Sequence, residues 1–194
     1  MNPPPVILAS ASPRRADLLR QLVADFSVVP SEAAEIHDPQ LTAWEMAQIN
    51  AYRKARVVAK KHSDALVLGA DTLVYLDGET KLFGKPTSRT EAARMLGELQ
   101  GRVHAVITGV CLLHLRDHRQ QVFAAWTDVT FHPLTVSQIR DYLALINPLD
   151  KAGAYAIQEH GERIVAEISG SYSNVVGLPV EMLRAELGAW RTRA

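Results

Sequence analysis

The sequence predicts an α/β fold built around a mixed β-sheet, and three observations support this prediction. Segments with helical periodicity alternate with short apolar segments along most of the 194 residues, a pattern typical of α/β proteins. Two long apolar segments, 103–115 and 120–131, flank a short polar one and predict a hairpin near the middle of the chain. No repeat, low-complexity tract or linker divides the chain. We therefore expect one domain, 1–194, with segment 148–153 as the best position for a hinge between lobes.

Local signals place the elements in order along the chain. Ser12 followed by Pro13 predicts the start of the first helix, because a hydroxyl N-cap and a proline at the first helical position favour a helix N-terminus. Ser88 and Glu91 form a capping-box pattern at a later helix. The predicted helices are 12–23, 42–60, 88–99, 135 or 137 to 147, and 179–190. The predicted strands are 6–9, 26–29, 65–76, 80–83, 103–115, 120–131, 155–158 and 163–168, with Asp77-Gly78 as a hairpin turn.

The helix predicted at 42–60 has a clear amphipathic pattern. Apolar residues recur there every three or four positions, which is the spacing of one helix face. The predicted buried stripe consists of Trp44, Ala47, Ala51, Ala55 and Val58. Such a stripe predicts that this helix packs against the sheet.

Charge, cysteine content and the first residues exclude several classes of protein. Lys and Arg together number 21, as do Asp and Glu, so the chain has no net charge that would attract nucleic acid or an anionic membrane. The single cysteine, Cys111, excludes an intramolecular disulfide and a cysteine-rich zinc site. The first residues lack the basic start of a signal peptide, and no apolar run approaches the roughly 18 residues of a membrane span. We expect a cytoplasmic protein with no nucleic-acid or membrane partner.

The segment Ser10–Arg15 is a candidate phosphate site. A strand ends here, a loop of small residues follows, and a helix begins with Arg14 and Arg15 in its first turn. The free N–H groups and the dipole of a helix N-terminus favour an anion. Two arginines at this end are unfavourable unless an anion compensates their charge, and a guanidinium group binds phosphate through two hydrogen bonds. Surface arginines at a solvated helix start are the alternative.

Asp71 is a candidate catalytic or metal-binding carboxylate, because it follows an apolar strand at the position where α/β proteins place their chemistry. Such a carboxylate can bind Mg²⁺ or accept a proton from water, and a structural, turn-capping aspartate is the alternative. Lys85 lies in Gly84–Pro86, which fails the P-loop pattern because the spacing to Gly78 is wrong and Pro86 replaces the required hydroxyl residue. Lys85 remains a candidate phosphate lysine, a partner of Asp71, or a loop lysine in solvent.

Three further segments contain candidate residues with less distinctive patterns. Either Glu32 or Glu35 can be a second metal-binding carboxylate beside Asp71, since two carboxylates and phosphate oxygens suffice for Mg²⁺. An exposed acidic loop is the alternative. Gln158 lies among small residues and carries an amide that both donates and accepts, so it can read the edge of a base. The glycine- and hydroxyl-rich segment 170–179 is either a loop that closes over a ligand or a loop that caps a helix.

The order of these motifs resembles the Maf family from about residue 6 to residue 187. Several motifs occur in register, and together they are far more specific than any one of them. They are Leu8–Arg15, Gly69–Thr72, Gly84–Pro86, Gly101–His104, Asp150–Tyr155 and Gly177–Pro179. The resemblance implies a fold similar to the inosine triphosphatase group, in which a curved mixed sheet divides two lobes around a central cleft.

The resemblance also implies an activity and a homodimer. Family members hydrolyse nucleoside triphosphates between the α- and β-phosphates with a divalent metal, Mg²⁺ or Mn²⁺. By resemblance, Asp71 is the catalytic proton acceptor, and Glu35, nine residues after Phe26, is preferred to Glu32 as the second carboxylate and metal ligand. By the same resemblance, Lys85 is catalytic together with Asp71 and Glu35. Lys54 and the phosphate loop with Ser10, Arg14 and Arg15 match family residues that bind substrate.

Base preference divides this family into branches. Arg14, Thr72 and Gln158 match the branch that resembles dTTP/UTP pyrophosphatases, which implies that all three bind substrate. That branch usually reads Ile-Gln-Gly, whereas here Glu159–His160 separate Gln158 from the glycine and reshape the turn. A 7-methyl-GTP pyrophosphatase and a nucleotide-binding regulator of septum formation are the alternatives.

Overall fold

The computed structural model describes residues 4–76 and 81–192. Its strands, numbered in chain order, are β1 (Val6–Leu8), β2 (Ser27–Val28), β3 (Leu66–Leu76), β4 (Lys81–Phe83), β5 (Val103–His114), β6 (Arg119–Phe131) and β7 (Val165–Ser169). Its helices are α1 (Pro13–Arg20), α2 (Ala43–Ala59), α3 (Arg89–Leu99), α4 (Val136–Leu145), α5 (Tyr172–Val176) and α6 (Val180–Thr192). Two short 3₁₀ helices, Ala152–Ala154 and Gly161–Arg163, lie between α4 and β7 in the chain. The predicted Asp77-Gly78 turn lies outside the described residues.

The strands form a mixed sheet, as predicted. Their order is β2-β1-β3-β5-β6-β7, and β4 pairs with β3. β1 is parallel to both β2 and β3, with Ile7 opposite Ser27 and Val67. β4 is antiparallel to β3, and β7 is antiparallel to β6. Parallel and antiparallel strands together with helices confirm the α/β class, and β5 and β6 are neighbours, as the predicted hairpin requires.

The chain folds into two compact units and passes between them within its strands. The first unit contains the chain up to Asp71, Thr108–Ala125, and the chain from Gly177 onwards. The second contains Thr72–Ile107 and Trp126–Val176. Three of the crossing points therefore lie inside β3, β5 and β6. The hinge predicted at 148–153 was wrong, because this segment lies inside the second unit.

Side-chain caps start the helices at the predicted residues. Ser12 caps α1 and Thr42 caps α2. At α3 the predicted capping box is half formed: Ser88 Oγ accepts the Glu91 N–H at 3.1 Å, whereas the Glu91 carboxylate accepts the Thr87 N–H at 2.7 Å. Among the described residues, no helix combines the length and the apolar character needed to cross a membrane.

Helix α2 lies at backbone contact with β3 and β5 because two glycines leave room for it. A Cβ atom at Gly69 would lie 2.3 Å from the carbonyl oxygen of Ala51, and one at Gly109 would lie 2.2 Å from that of Ala47. A side chain at either glycine would push the helix away, because protein interiors have no room for such an overlap. Ala47 and Ala51 are fully buried, as predicted, but Trp44 is 39% exposed and was wrongly assigned to the buried stripe. A helix face at backbone contact accommodates alanine rather than an indole ring.

In the second unit, one predicted strand is replaced by a turn. Segment 155–158 contains no strand and leads into a turn over 157–160. The Tyr142 hydroxyl accepts a hydrogen bond from the Ala156 N–H at 3.1 Å and donates one to the Ala156 carbonyl at 3.2 Å. These bonds satisfy backbone groups that a neighbouring strand would otherwise pair. Segment 170–179, expected to be a loop, contains the short helix α5.

Candidate active site

Asp71 is the buried centre of a charged cluster in the first unit. It lies on β3 two residues after Gly69, and therefore on the same strand face, which meets α2. Lys54 Nζ lies 2.5 Å from Asp71 Oδ1, and Asn50 Nδ2 lies 3.2 Å from Asp71 Oδ2. Asn50 and Lys54 are four residues apart on α2, so one face of one helix contacts both oxygens of the carboxylate.

Glu35 joins the same cluster from an irregular segment between β2 and α2. Its Oε1 atom lies 2.7 Å from Lys54 Nζ, so one ammonium group contacts both carboxylates. The other candidate, Glu32, has a side chain that is 86% exposed and lies 4.0 Å from Lys61. The structure therefore brings Glu35, and not Glu32, together with Asp71.

Asn50 is a residue of this cluster that the sequence analysis missed. It is 1% exposed and forms three hydrogen bonds: its Oδ1 accepts the Ile36 N–H at 2.8 Å, and its Nδ2 donates to the Ile36 carbonyl and to Asp71 Oδ2, both at 3.2 Å. One signal in the sequence pointed to it. Asn50 follows Ala47 at helical spacing and is thus a polar residue within a stripe of buried alanines, four positions before Lys54.

The predicted phosphate loop also belongs to the first unit. Ser10 Oγ accepts hydrogen bonds from the Ser12 N–H at 3.2 Å and from Arg15 Nη1 at 3.3 Å. Arg15 Nε donates to the Gly177 carbonyl at 2.9 Å, so the guanidinium group is held by two parts of the unit. Burial lowers the pKa of Arg15, and the negative charge of Asp71 partly opposes this shift.

The charges of the cluster favour an anionic ligand. Lys54 contacts both Asp71 and Glu35, and the charges of the same two carboxylates partly oppose the lowering of the Arg15 pKa by burial. Arg14 and Arg15 both lie in the first turn of α1. A helix N-terminus that carries two arginines suits a polyphosphate.

The two carboxylates fit a divalent ion. Asp71 and Glu35 already share one cation, the ammonium group of Lys54. Two carboxylates are enough for Mg²⁺ when the ion keeps water molecules and binds substrate phosphates. Within residues 4–76 and 81–192, no group of three or more His, Cys, Asp or Glu side chains could hold a metal. An ion at Asp71 and Glu35 would therefore need phosphate oxygens or water as further ligands.

The other predicted site residues belong to the second unit. Thr72 follows Asp71 on β3 and is half-buried. Lys85 is exposed in the loop after β4, where the Gly84 carbonyl accepts the Gly153 N–H at 3.0 Å. Gln158 is exposed in the turn 157–160. These residues therefore lie on separate segments of the second unit, and two of them are at its surface.

A buried lysine holds the turn that carries Gln158. Lys151 is 5% exposed, and its Nζ lies 2.7 Å from the Asn147 carbonyl, 2.9 Å from Asp150 Oδ1 and 3.3 Å from Glu159 Oε1. Glu159 is one of the two residues that depart from the expected Ile-Gln-Gly pattern. Its ion pair with a buried lysine ties the reshaped turn to the body of the second unit.

Known proteins resemble this chain along most of its length. The sequence profile of the family described as Maf-like protein matches residues 5–190. Among curated relatives, a protein of Moorella thermoacetica named dTTP/UTP pyrophosphatase is 48% identical over 186 residues, which cover 94% of this chain and 95% of the relative. A protein of Akkermansia muciniphila with the same name is 44% identical over 177 residues, covering 91% of this chain and 92% of the relative.

Solved structures of lower identity share the fold. The Ham1 protein of Staphylococcus aureus superposes with a TM-score of 0.53 at 17% identity, over 95% of this chain and 98% of that one. A HAM1 protein from Coxiella burnetii gives a TM-score of 0.53 at 13% identity, over 96% of this chain and 100% of that one. At these identities the likeness supports the fold assignment alone.

Proposed function

We propose, from the premise that the chain belongs to the Maf family, that it is a nucleoside triphosphate pyrophosphatase that hydrolyses dTTP and UTP to the monophosphate and pyrophosphate. The observation that carries the proposal is the cluster of Asp71, Glu35 and Lys54, which three separate segments bring within hydrogen-bond distance beside an arginine-bearing helix N-terminus. Relatives that are 44–48% identical over most of the chain and are named for this activity support the choice of substrate.

The first unit supplies groups for the triphosphate. Ser10, Arg14 and Arg15 provide a hydroxyl and two guanidinium groups at the start of α1, and guanidinium groups bind phosphate oxygens in pairs. Lys54 contributes further positive charge, and Lys85 of the second unit does so by family resemblance. Phosphoryl chemistry of this kind depends mainly on positioning and on charge stabilisation. A divalent ion held by Asp71 and Glu35, which we propose to be Mg²⁺ or Mn²⁺, supplies additional neutralisation of phosphate charge when bound.

The proposed reaction breaks the bond between the α-phosphorus and the oxygen that bridges to the β-phosphorus. Water attacks the α-phosphorus, its proton passes to Asp71, and pyrophosphate leaves with the bridging oxygen. Asp71 Oδ1 is in contact with Lys54 before substrate binds. A triphosphate attracts Lys54 and so makes this oxygen available to the attacking water.

The second unit contributes base recognition in this proposal. The Gln158 amide presents one donor and one acceptor, which complement the N3–H donor and the adjacent carbonyl acceptor of uracil and thymine. Thr72 is assigned to substrate binding by its match to the dTTP/UTP branch. A homodimer and a cytoplasmic location complete the proposal and rest on the sequence analysis.

The test is pyrophosphate release from dTTP, UTP, CTP, dCTP, GTP, 7-methyl-GTP and ATP, with Mg²⁺ or Mn²⁺, and with both products identified. We expect dTTP and UTP to give the monophosphate and pyrophosphate faster than the other nucleotides. Turnover centred on 7-methyl-GTP would keep the reaction and overturn the base assignment. Folded protein that turns over no nucleotide would favour the alternative, a nucleotide-binding regulator.

A further inference from the structure

We propose that Asn50 is a positioning residue that fixes the Glu35 segment against Asp71 and so sets the geometry of the two carboxylates. The inference rests on the proposed function, because it assigns Asn50 a part in the same reaction. Asn50 is 1% exposed on the face of α2 that meets β3. Its side chain contacts Asp71 directly and contacts the backbone of the residue that follows Glu35.

The amide of Asn50 acts as a substitute for a neighbouring strand. The segment that carries Glu35 has no regular secondary structure, so no ladder of backbone hydrogen bonds fixes its position. Asn50 pairs with both backbone groups of Ile36, accepting its N–H at 2.8 Å and donating to its carbonyl at 3.2 Å. Two bonds to one residue restrain both its distance and its orientation. Glu35, the next residue along the chain, is restrained with it.

The orientation of the Asn50 amide is determined by its surroundings. The Ile36 N–H needs an acceptor, which requires Oδ1 to face Ile36, and Nδ2 then faces the Ile36 carbonyl and Asp71 Oδ2. The flipped amide would place an oxygen against the Asp71 carboxylate and a donor against the Ile36 N–H. Only one orientation satisfies all three contacts, and neither an aspartate nor an apolar side chain can form all three.

Asn50 and Lys54 differ in what happens to them when substrate binds. Lys54 is charged, and the phosphates compete for it with Asp71 and Glu35. The Asn50 amide is neutral and buried, so its contact with Asp71 Oδ2 can persist while Oδ1 becomes available. Asn50 therefore keeps the two carboxylates in place during the part of the reaction in which Lys54 binds phosphate.

The test compares three single variants with the wild-type protein. Asn50→Ala removes all three hydrogen bonds. Asn50→Asp keeps an acceptor for the Ile36 N–H but loses both donors and places a carboxylate beside Asp71. Met46→Ala is the matched control, because Met46 is equally buried one helical turn before Asn50 and its truncation removes core packing but none of the hydrogen bonds of the cluster. Two readouts are measured: kcat and KM for dTTP, and the exchange rate of the Ile36 amide proton by NMR.

For Asn50→Ala we expect kcat to fall roughly 10- to 100-fold with little change in KM, since a misplaced catalytic group affects the reaction more than binding. The Ile36 amide should exchange faster. In Asn50→Asp, kcat should fall as far as in Asn50→Ala. The Ile36 amide should exchange more slowly in Asn50→Asp than in Asn50→Ala, because one acceptor remains. Met46→Ala should lower the melting temperature. At a temperature where this variant is folded, its kcat and the exchange rate of its Ile36 amide should stay near wild type.

A kcat of Asn50→Ala within about twofold of wild type would overturn the inference, as would an equal loss of kcat in Met46→Ala. Unchanged Ile36 exchange in Asn50→Ala would also overturn it, because the amide would not be holding the segment. The failure of the proposed function looks different: the wild-type protein would then release no pyrophosphate from dTTP, and the exchange measurement would still test the hold of Asn50 on Ile36.

Discussion

The charged cluster of the first unit and the Gln158 turn of the second unit are held in opposite ways. In the cluster, the functional groups contact one another, and Asp71 is buried beneath a helix at backbone contact. In the turn, Gln158 is exposed. The turn is held by the ion pair between Lys151 and Glu159, the residue after Gln158. A substitution at one residue of the cluster therefore disturbs the others. A substitution of the exposed Gln158 should have little effect on the stability of the fold.

This difference matches the two tasks proposed for the units. Bond cleavage needs the same charges in the same places for every nucleotide, which favours a buried and mutually restrained cluster. Base recognition differs among the branches of the family. This favours an exposed residue on a turn that is held in place by other residues. Changes in the first region should therefore alter the rate for all nucleotides, and changes in the second should alter the choice among them.

The largest expected effect comes from Asp71→Asn. This change keeps the shape of the side chain but removes the proton acceptor and one negative charge, and we expect turnover to fall on the order of 10²-fold or more for every nucleotide. The measurement is kcat with dTTP and with a poor substrate such as dCTP. Asp64→Asn is the control, because Asp64 is also in the first unit but forms an exposed ion pair with Arg116. Near wild-type turnover of Asp71→Asn would disprove the role of Asp71.

A smaller and more selective effect is expected from Gln158→Glu. A carboxylate can accept a hydrogen bond from the cytosine amino group but cannot donate one to a uracil or thymine carbonyl. The ratio of kcat/KM for dTTP to that for dCTP should therefore fall by about tenfold or more, from the usual value of a base-edge contact. This ratio does not depend on the fraction of folded protein. The exposed Gln120 on β6 offers the control Gln120→Glu, and equal ratios in the two variants would remove Gln158 from base recognition.

The smallest effect on the reaction is expected at His104 in the second unit. This residue should instead make the stability of the protein depend on pH. Its Nε2 lies 2.9 Å from the Tyr155 hydroxyl, and burial lowers its pKa to about 4. The unfolded chain, with an ordinary histidine pKa near 6.5, binds a proton that the folded chain does not. Folding therefore favours the neutral form of His104. The folded state has its full stability above about pH 6.5 and becomes less stable as the pH falls towards 4, with about 2 kcal/mol of unfolding free energy lost at pH 5.

Urea unfolding at pH 7 and pH 5 tests this prediction. The difference in unfolding free energy between the two pH values should shrink in His104→Phe and stay as in wild type in His132→Gln, a change at an exposed histidine. Comparing each variant with itself cancels any general loss of stability. Equal pH dependence in His104→Phe and wild type would assign the acid sensitivity to groups other than His104.

Much of the fold could be predicted because its signals are local. The N-caps Ser12 and Ser88 and the apolar strand before Asp71 depend on a few adjacent residues, and all three are found in the structure. The predicted strand at 155–158 failed for a reason that no local pattern contains. The hydroxyl of Tyr142, fourteen residues away in the chain, pairs with the backbone of Ala156.

The candidate site also contains residues that local patterns could predict and residues that they could not. Asp71 and Arg15 could be proposed because each lies where a strand ends or a helix begins. The preference for Glu35 over Glu32 needed family resemblance first and the position of Lys54 second. The sequence marked Asn50 only as a polar residue within a stripe of alanines, and its contacts with Asp71 and Ile36 depend on how closely α2 approaches β3.

The close approach of α2 at Gly69 and Gly109 links the proposed activity to the docking of this helix. The side chains of Asn50 and Lys54 reach Asp71 only when α2 lies against both glycines. A partly folded chain with its helices formed but α2 undocked would have the same charges and no assembled site. During refolding, the recovery of hydrolysis should therefore follow the native population rather than the helix content, so that nascent or damaged chains leave the nucleotide pool intact.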